Sequence, residues 1–220
     1  MTATVGAVTD RFLPLFDPAV EEPPSSAIEI YFETPTSLGL LYRFSQRFDQ
    51  PRLVEAVREA HEAGIAAALE AIADVALLKV GEHVEIPGKP SMGRYLPGRL
   101  SLTRVSHIYT GDPGDIARFH DHVFIGRTGI ADHDGECWPL AAEDLRAGLR
   151  SFAVDHVHGI HLSLRESIGA RWSEERTWMG FQELTYPDLG QYVADFPRQY
   201  CRYGLGSPAR WNVVDIIERL

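Results

Sequence analysis

The sequence predicts an α+β fold in which an antiparallel β-sheet is flanked by α-helices. Short segments with an apolar residue at every second position indicate half-buried strands. Long segments with apolar residues three and four positions apart indicate amphipathic helices. Along the chain these segments occur in the order strand, helices, several strands, helix. That order is typical of an α+β sandwich rather than of alternating strand–helix–strand units.

The N-terminal residues 1–26 are predicted to form an irregular arm, because prolines and adjacent acidic residues interrupt them. A strand is expected at residues 27–32, where two isoleucines and a phenylalanine alternate with Glu29 and Tyr31. A period of two places the apolar residues on one face of the strand and Glu29 on the other.

Two helices are expected after this strand. Thr34 and Pro35 provide an N-cap and a first-turn proline for a helix that runs to about Gln46. Asp49-Gln50-Pro51 repeats the pattern and begins a long helix with many alanines at three- and four-residue steps. Such small side chains indicate close packing against the sheet.

The remaining elements follow from the same periodicities. Strands are predicted at 76–86, at 99–109, around His120 and at 177–184, and helices at 141–168, 188–203 and 213–220, with a loop at 127–139. The chain is therefore expected to consist of the arm at 1–26, a domain at 27–184 and a C-terminal helical extension at 185–220.

Composition and charge restrict the functional classes. An apolar share of 45% in 220 residues suits one large domain. The net charge of −10 argues against a broad basic surface for nucleic acid, although a local basic groove remains compatible with it. Two cysteines are too few for a disulfide framework, which favours the cytoplasm. Neither a signal peptide nor a membrane-spanning segment is recognised, so no membrane insertion is expected.

Three histidines fall on two neighbouring predicted strands. His120 and His122 are separated by one residue, so a strand places both imidazoles on one face of a sheet. His107 ends the preceding apolar run, and residues 110–115 between the strands have the composition of a turn. An antiparallel hairpin then brings His107 beside the pair, which predicts a three-histidine site for a divalent metal. A partly exposed polar face of the sheet is the alternative interpretation.

Several segments, in the same order, match the pattern of one family. Residues 29–41 (EIYFETPTSLGLL) are similar to that family's "DLTFSAPKSVSLL". His107, residues 111–113 and residues 120–123 together are similar to its "H…DP…HTHVVVAN". The alanine-rich residues 57–69, and residues 135–140 with 168–172, match two further segments. Together they resemble the nicking domain of conjugative relaxases of the TrwC/TraI (MobF) type, members of the His-hydrophobe-His endonuclease superfamily. The resemblance spans residues 27–183.

The resemblance implies a relaxase- or replication-initiator-like fold with a ferredoxin-like or RRM-like core. It implies that His107, His120 and His122 hold one divalent ion (Mg, Mn or Zn) against the scissile phosphate of single-stranded DNA. In such enzymes an acidic residue at the position of Glu29 orients a histidine and assists the nucleophile. A tyrosine attacks the phosphate and stays joined to the 5′ end of the cut strand. A plain solvent-facing glutamate is the alternative for Glu29.

The chain departs from the family pattern at the nucleophile. Relaxases of this type carry the tyrosine near the N-terminus, whereas this chain has no tyrosine before Tyr31. Replication initiators of the same superfamily carry it on a helix after the histidine strand, where this chain has Tyr200 and Tyr203. These two tyrosines are therefore the candidate nucleophiles, with packing against the sheet as the alternative.

Charged residues near the predicted metal strands have two interpretations. Arg104, Arg118 and Arg127 are candidate DNA contacts. Arg104 and Arg118 equally suit cross-strand pairing with Asp115 or Asp121. Asp121 replaces the superfamily's hydrophobe and is expected to point away from the face that bears the histidines.

Four further histidines lie on predicted helices. His61 is expected to be a capped or partly exposed residue of the alanine-rich helix. The other three are expected to form a solvated face of the next long helix, and they are His156, His158 and His161.

The predicted function is relaxase-like, metal-dependent nicking or strand transfer of single-stranded DNA through a tyrosine–phosphate intermediate. A mobile element is the expected source, with a role in plasmid conjugation or rolling-circle replication. Single-stranded DNA and other mobile-element proteins are the candidate partners, and no nucleotide cofactor is expected because a phosphate-binding glycine loop is lacking. The alternatives are a catalytically inactive relaxase-like module that binds DNA or protein, and a small-molecule metalloenzyme that uses the same histidines.

Overall fold

The computed structural model describes residues 10–84, 92–109, 117–176, 182–186 and 210–212. Its elements follow the order that the sequence periodicity predicts, with a strand before two helices, and then several strands before a third helix. The helices are α1 (Thr36–Arg47), α2 (Pro51–Val75) and α3 (Ala142–Ile168). The strands are β1 (Phe12–Leu13), β2 (Ile28–Glu33), β3 (Leu78–Val84), β4 (Met92–Leu96), β5 (Gly98–Tyr109), β6 (Arg118–Ala131), β7 (Cys137–Pro139), β8 (Arg171–Arg176), β9 (Gln182–Tyr186) and β10 (Arg210–Asn212).

The central sheet has the strand order β1-β5-β6-β2-β10, and β7 also pairs with β6. Strand β6 is antiparallel to β5, β2 and β7, whereas β1 and β10 join the sheet edges in parallel. Strands β3 and β4 form one separate hairpin sheet, and β8 and β9 form another. The expected α+β class with a predominantly antiparallel sheet is thus confirmed.

Helices α2 and α3 cover one face of the central sheet. Side chains from alternate positions of β2, including the fully buried Ile30, and of β6, including Val123, pack with Ile65 and Ile72 of α2 and Phe152 of α3. The other positions of these strands point to the opposite face, as the pleat of a strand requires. That opposite face carries the histidines.

The two long helices approach each other closely at paired glycines. A Cβ atom on Gly159 would lie 2.7 Å from the carbonyl oxygen of Ala63 and 2.9 Å from the Cα of Gly64. A Cβ on Gly64 would lie 2.8 Å from the carbonyl oxygen of His156. Because these neighbours are backbone atoms, side chains at either glycine would force the helices apart.

The two-stranded sheet of β8 and β9 forms hydrogen bonds with the first turn of α1. The carboxylate of Glu183 accepts a hydrogen bond from the Ser37 backbone N–H at 2.8 Å, and the Ser37 hydroxyl accepts one from the Leu184 N–H at 2.9 Å. Burial raises the pKa of Glu183, while the hydrogen bonds from Ser37 oppose that rise. A carboxylate from a distant strand therefore satisfies a donor that the first turn of α1 leaves without a helical partner.

Thr34 does not cap α1, contrary to the expectation from the sequence. The N-cap residue is Pro35, without a side-chain cap hydrogen bond. The Thr34 hydroxyl donates instead to the Phe119 carbonyl at 3.3 Å. This contact joins the end of β2 to the start of β6, a tertiary partner that local sequence does not reveal.

Several other element predictions need correction. Strand β4 was not expected, and β6 continues to Ala131 through the predicted loop at 127–139, because it finds a further partner in β7. Within the predicted arm, β1 pairs with β5. The predicted helices at 188–203 and 213–220 lie outside the described residues.

None of the described helices is long and apolar enough to span a membrane.

The expected exposure of two helix histidines is wrong. His61 is 3% exposed and His156 is 2% exposed. The His156 ring packs 5.2 Å from that of Phe32, and burial lowers its pKa to about 3. These residues lie on the sheet-facing sides of α2 and α3, so they belong to the core.

The glycine contact between the helices predicts an unusual response to alanine. Gly159→Ala is expected to lower the free energy of unfolding by about 1–3 kcal/mol, because overpacking against backbone atoms outweighs the roughly 1 kcal/mol gain in helix propensity. Urea unfolding followed by circular dichroism measures the change. Ser151→Ala, at an exposed position of α3, is the control and should stay within about 0.5 kcal/mol. Increased stability of Gly159→Ala would contradict the close packing.

Candidate metal centre

Strand pairing brings the three predicted ligands together on the face opposite the helices. His107 on β5 lies directly opposite His120 on β6, and His122 follows on the same side of β6. The ring centroids of His107 are 5.1 Å from His120 and 5.2 Å from His122, and those of His120 and His122 are 5.3 Å apart. One ring nitrogen of each lies within 4.8 Å of the others. The structure therefore contains the histidine cluster that the sequence predicts.

The chemistry of this cluster fits a divalent ion. Nitrogens bound to one ion at about 2.1 Å lie roughly 3.0–3.5 Å apart, so small side-chain rotations would close the set. Burial and then the neighbouring histidines lower the pKa of His107, and lower that of His120 to about 4. Both imidazoles are therefore neutral at pH 7, which is the form that binds metals.

Glu29 orients one ligand of the cluster. Its Oε1 lies 2.5 Å from Nδ1 of His122, and its side chain is only 16% exposed. Accepting a hydrogen from Nδ1 leaves Nε2 of His122 as the atom that could bind a metal, and contact with a carboxylate makes the imidazole a stronger donor. This contact disfavours the alternative of a plain solvent-facing glutamate.

Tyr31 and Glu33 join the site from the same side of β2. Tyr31 lies directly opposite His122, and its ring centroid is 5.1 Å from that of His122 and 5.3 Å from that of His120. Glu33 lies opposite His120, and burial raises its pKa although Arg118 opposes the rise. Sequence reasoning missed both residues as site members, yet their alternation with Glu29 on the polar side of β2 would have identified them.

The N-terminal arm crosses the same face at its edge. The backbone N–H groups of Leu15 and Phe16 donate to the Thr103 hydroxyl at 3.1 Å, and that hydroxyl lies 2.9 Å from the Phe16 carbonyl. The Phe16 ring packs edge-on at 5.5 Å against Phe124, the next residue on the histidine side of β6. The arm therefore packs on the histidine face of the sheet, beside the cluster.

Asp121 points to the helix-covered face, as expected, and is fully buried there. Its carboxylate lies 2.5 Å from Nε2 of His61 on α2 and 2.6 Å from Nε of Arg104 on β5. The Arg104 guanidinium also binds both carboxylate oxygens of Glu62, at 2.6 and 3.0 Å. Burial alone would raise the pKa of Asp121, but its contacts with His61 and Arg104 hold that pKa well below its usual range. This buried network ties the strand between the ligands to α2 and β5.

The three candidate DNA-binding arginines occupy different positions. The buried pairing of Arg104 with Asp121 supports its cross-strand interpretation, and its guanidinium lies on the face away from the histidines. Arg118 lies on the histidine side of β6, two residues before His120. Arg127 is exposed and its Nε donates to the Ser26 carbonyl at 2.8 Å. Tyr200 and Tyr203 lie outside the described residues.

The fold matches solved structures of one relaxase. A structure of TrwC with a 27-mer DNA that comprises the recognition hairpin and the cleavage site has 18% sequence identity and a TM-score of 0.53 over 74% of this chain. The metal-free and metal-bound structures of conjugative relaxase TrwC with oriT DNA each have 18% identity and a TM-score of 0.54 over 77% of this chain. The chain spans about half the length of these TrwC chains, at 51%, 53% and 52%. The protein therefore has a relaxase-type fold.

Sequence-based comparisons give no further relatives. No family model matches the chain, and no curated protein matches it.

The buried network predicts that substitution of Asp121 alone lowers the free energy of unfolding. Asp121→Leu should lower the free energy of unfolding by about 3–5 kcal/mol, because it removes the carboxylate that pairs with buried His61 and leaves buried Arg104 with only the surface residue Glu62. The triple variant His61→Leu/Arg104→Met/Asp121→Leu should recover most of that loss, since an apolar set replaces the whole network. Denaturant unfolding measures both.

Glu62→Gln is the matched control for this series, because Glu62 is 48% exposed and its ion pair with Arg104 reaches the surface. It should cost far less than Asp121→Leu. An Asp121→Leu variant as stable as the native chain would show that the network does not constrain the strand.

Metal binding should depend on the ligand histidines. His120→Ala and His122→Ala are each expected to abolish the rise in melting temperature that Zn²⁺ or Mn²⁺ produces, because two imidazoles give too few ligands. Glu29→Gln should weaken binding by about 10- to 100-fold without abolishing it, since it acts on His122 indirectly. Isothermal titration calorimetry measures the affinities. His158→Ala, an exposed position of α3, is the control, and unchanged affinity in both ligand variants would exclude this metal site.

Proposed function

We propose that this protein is a relaxase-like enzyme that nicks or transfers single-stranded DNA with the help of one divalent ion. The observation that supports this proposal most directly is the position of three converging histidines and an orienting glutamate on the face of a relaxase-type sheet opposite α2 and α3. A mobile element, in conjugation or rolling-circle replication, is the corresponding biological setting.

His107, His120 and His122 would hold the ion, which is Mg²⁺, Mn²⁺ or Zn²⁺. Three imidazole donors favour zinc by ligand preference, since magnesium and manganese prefer oxygen. Neutral imidazoles leave the charge of an ion undiminished, and such an ion supplies a Lewis acid that polarises a phosphoryl oxygen. Because Glu29 fixes the ring of His122, the site is organised before substrate arrives.

The chain's own residues have separate tasks in this proposal. Glu29 orients His122 and assists the nucleophile, and Arg118 and Arg127 contact the DNA backbone near the two ends of β6. A tyrosine hydroxyl attacks phosphorus and forms an ester with the 5′ phosphate of the cut strand. Tyr200 and Tyr203 are the nucleophiles that the resemblance suggests, and they remain predictions.

A catalytically inactive relaxase-like binding module is the second candidate function. It is favoured by the acidic total charge of −10 and by the use of Arg104 in a buried ion pair. Such a module would bind the metal and would not form a covalent intermediate. A small-molecule metalloenzyme would also lack that intermediate, so formation of a protein–DNA ester distinguishes the proposed function from both.

The test is a covalent-adduct assay. The protein incubated with Zn²⁺ or Mn²⁺ and a labelled, randomised single-stranded oligonucleotide pool is expected to yield a protein–DNA adduct that survives denaturing electrophoresis. His120→Ala, His122→Ala and chelation should each abolish the adduct, because the phosphate would no longer be held and polarised. His158→Ala is the control and should retain it. Undiminished cleavage in both ligand variants would contradict a role for the histidine site.

A further inference from the structure

The search for a nucleophile within the described residues leads to Tyr31. The side chains of three other tyrosines are described, and each has its ring contact away from the three candidate ligands: Tyr42 contacts Phe119, Tyr95 contacts His83, and Tyr186 lies beneath Arg171. Tyr31 instead contacts two of the three candidate metal ligands, with its ring 5.1 Å from His122 and 5.3 Å from His120. We propose that Tyr31 supplies the attacking hydroxyl, an inference that rests on the function proposed above.

The strand geometry directs Tyr31 toward the place where a phosphate would bind. In the β2–β6 pair, Tyr31 and His122 are directly opposite and on the same face. Side chains of a sheet stand roughly perpendicular to it. Because tyrosine is longer than histidine, the proposal places its hydroxyl beyond the neighbouring imidazoles, at the level of an ion that they would hold. An ion bound by these imidazoles, and any phosphate on that ion, would occupy the same region.

The arrangement around Tyr31 is rigid enough to hold a nucleophile. Its strand is paired with β6, and its ring contacts the imidazoles of His120 and His122, of which His122 is held by Glu29 and His120 pairs with His107 of β5. A reacting group held in one orientation avoids the entropy loss of finding it.

The covalent step balances without a further reactant. The phenolic oxygen of Tyr31 forms a bond to phosphorus while the bond between phosphorus and the 3′ oxygen breaks. The phenolic proton passes to solvent, and the departing 3′ oxygen takes up a proton to become a hydroxyl. The products are a 5′-phosphotyrosine ester and a free 3′ end, and attack by that 3′ hydroxyl on the ester reverses the step.

The experiment compares four phenylalanine variants and locates the adduct. Tyr31→Phe removes only the hydroxyl and keeps the ring contacts, so metal affinity measured by calorimetry should not change. Its adduct yield in the covalent assay should fall by roughly 1,000-fold or more, as for removal of a nucleophile. Tyr186→Phe is the control because Tyr186 is 54% exposed and lies on β9, and it should match the native chain. Tyr200→Phe and Tyr203→Phe test the competing assignment, and loss of the adduct in either variant with Tyr31→Phe still active would overturn the role of Tyr31.

Mass spectrometry of the native adduct gives a readout that does not depend on any variant. After protease and nuclease digestion, fragmentation should place the nucleotide remnant on Tyr31. A remnant on Tyr200 or Tyr203 would overturn the Tyr31 assignment while the proposed function stands. The same conclusion holds if Tyr31→Phe loses activity while the remnant maps elsewhere. Absence of any adduct from the metal-loaded native protein would overturn both proposals.

Discussion

The structure depends on the pairing of one strand, β6, with neighbours on both sides. Because side chains alternate along a strand, β6 sends His120 and His122 to one face and buries Phe119, Asp121 and Val123 on the other. Pairing with β5 adds His107 to the histidine face, and pairing with β2 adds Tyr31 and Glu29. A shift of one residue in the register of β6 would bury the imidazoles and expose the apolar residues. Core formation and site assembly therefore require the same register.

Asp121 strengthens that requirement. An apolar residue between the histidines would favour the observed register only through burial, and neighbouring apolar positions could exchange at modest cost. A buried carboxylate needs partners of opposite charge in defined places, and His61 and Arg104 provide them from α2 and β5. The network disfavours alternative pairings, and it lies on the face of the sheet that the helices cover. The buried network and the histidine cluster therefore lie on opposite faces of one strand.

The sequence predicted the elements whose evidence is local. The alternation around Glu29, the long apolar periodicity of α2 and α3, and the one-residue spacing of His120 and His122 all depend on neighbours along the chain, and the structure contains each of them. The features that the sequence could not predict depend on contacts between residues that are distant along the chain. Thr34 gives up capping for the Phe119 carbonyl, and His61 enters the core because Asp121 lies beneath it. Tyr31 was not predicted as a site residue because a polar strand face is ordinarily solvated, whereas its ring contacts the imidazoles of His120 and His122.

The charge of the histidine face bears on how a polyanion would bind there. Among the described residues near the cluster, Glu29 and Glu33 are acidic, and the lowered pKa values leave His107 and His120 uncharged at pH 7. Arg118 is the nearest basic residue along β6, while Arg104 is neutralised by carboxylates on the other face. Without an ion, such a surface offers little attraction for phosphate. A bound divalent ion would reverse the local balance at the one point where the proposed reaction takes place, so the same charge would attract the scissile phosphate and stabilise its transition state. On an acidic protein, this arrangement would confine strong phosphate binding to the reactive position instead of distributing it over the surface.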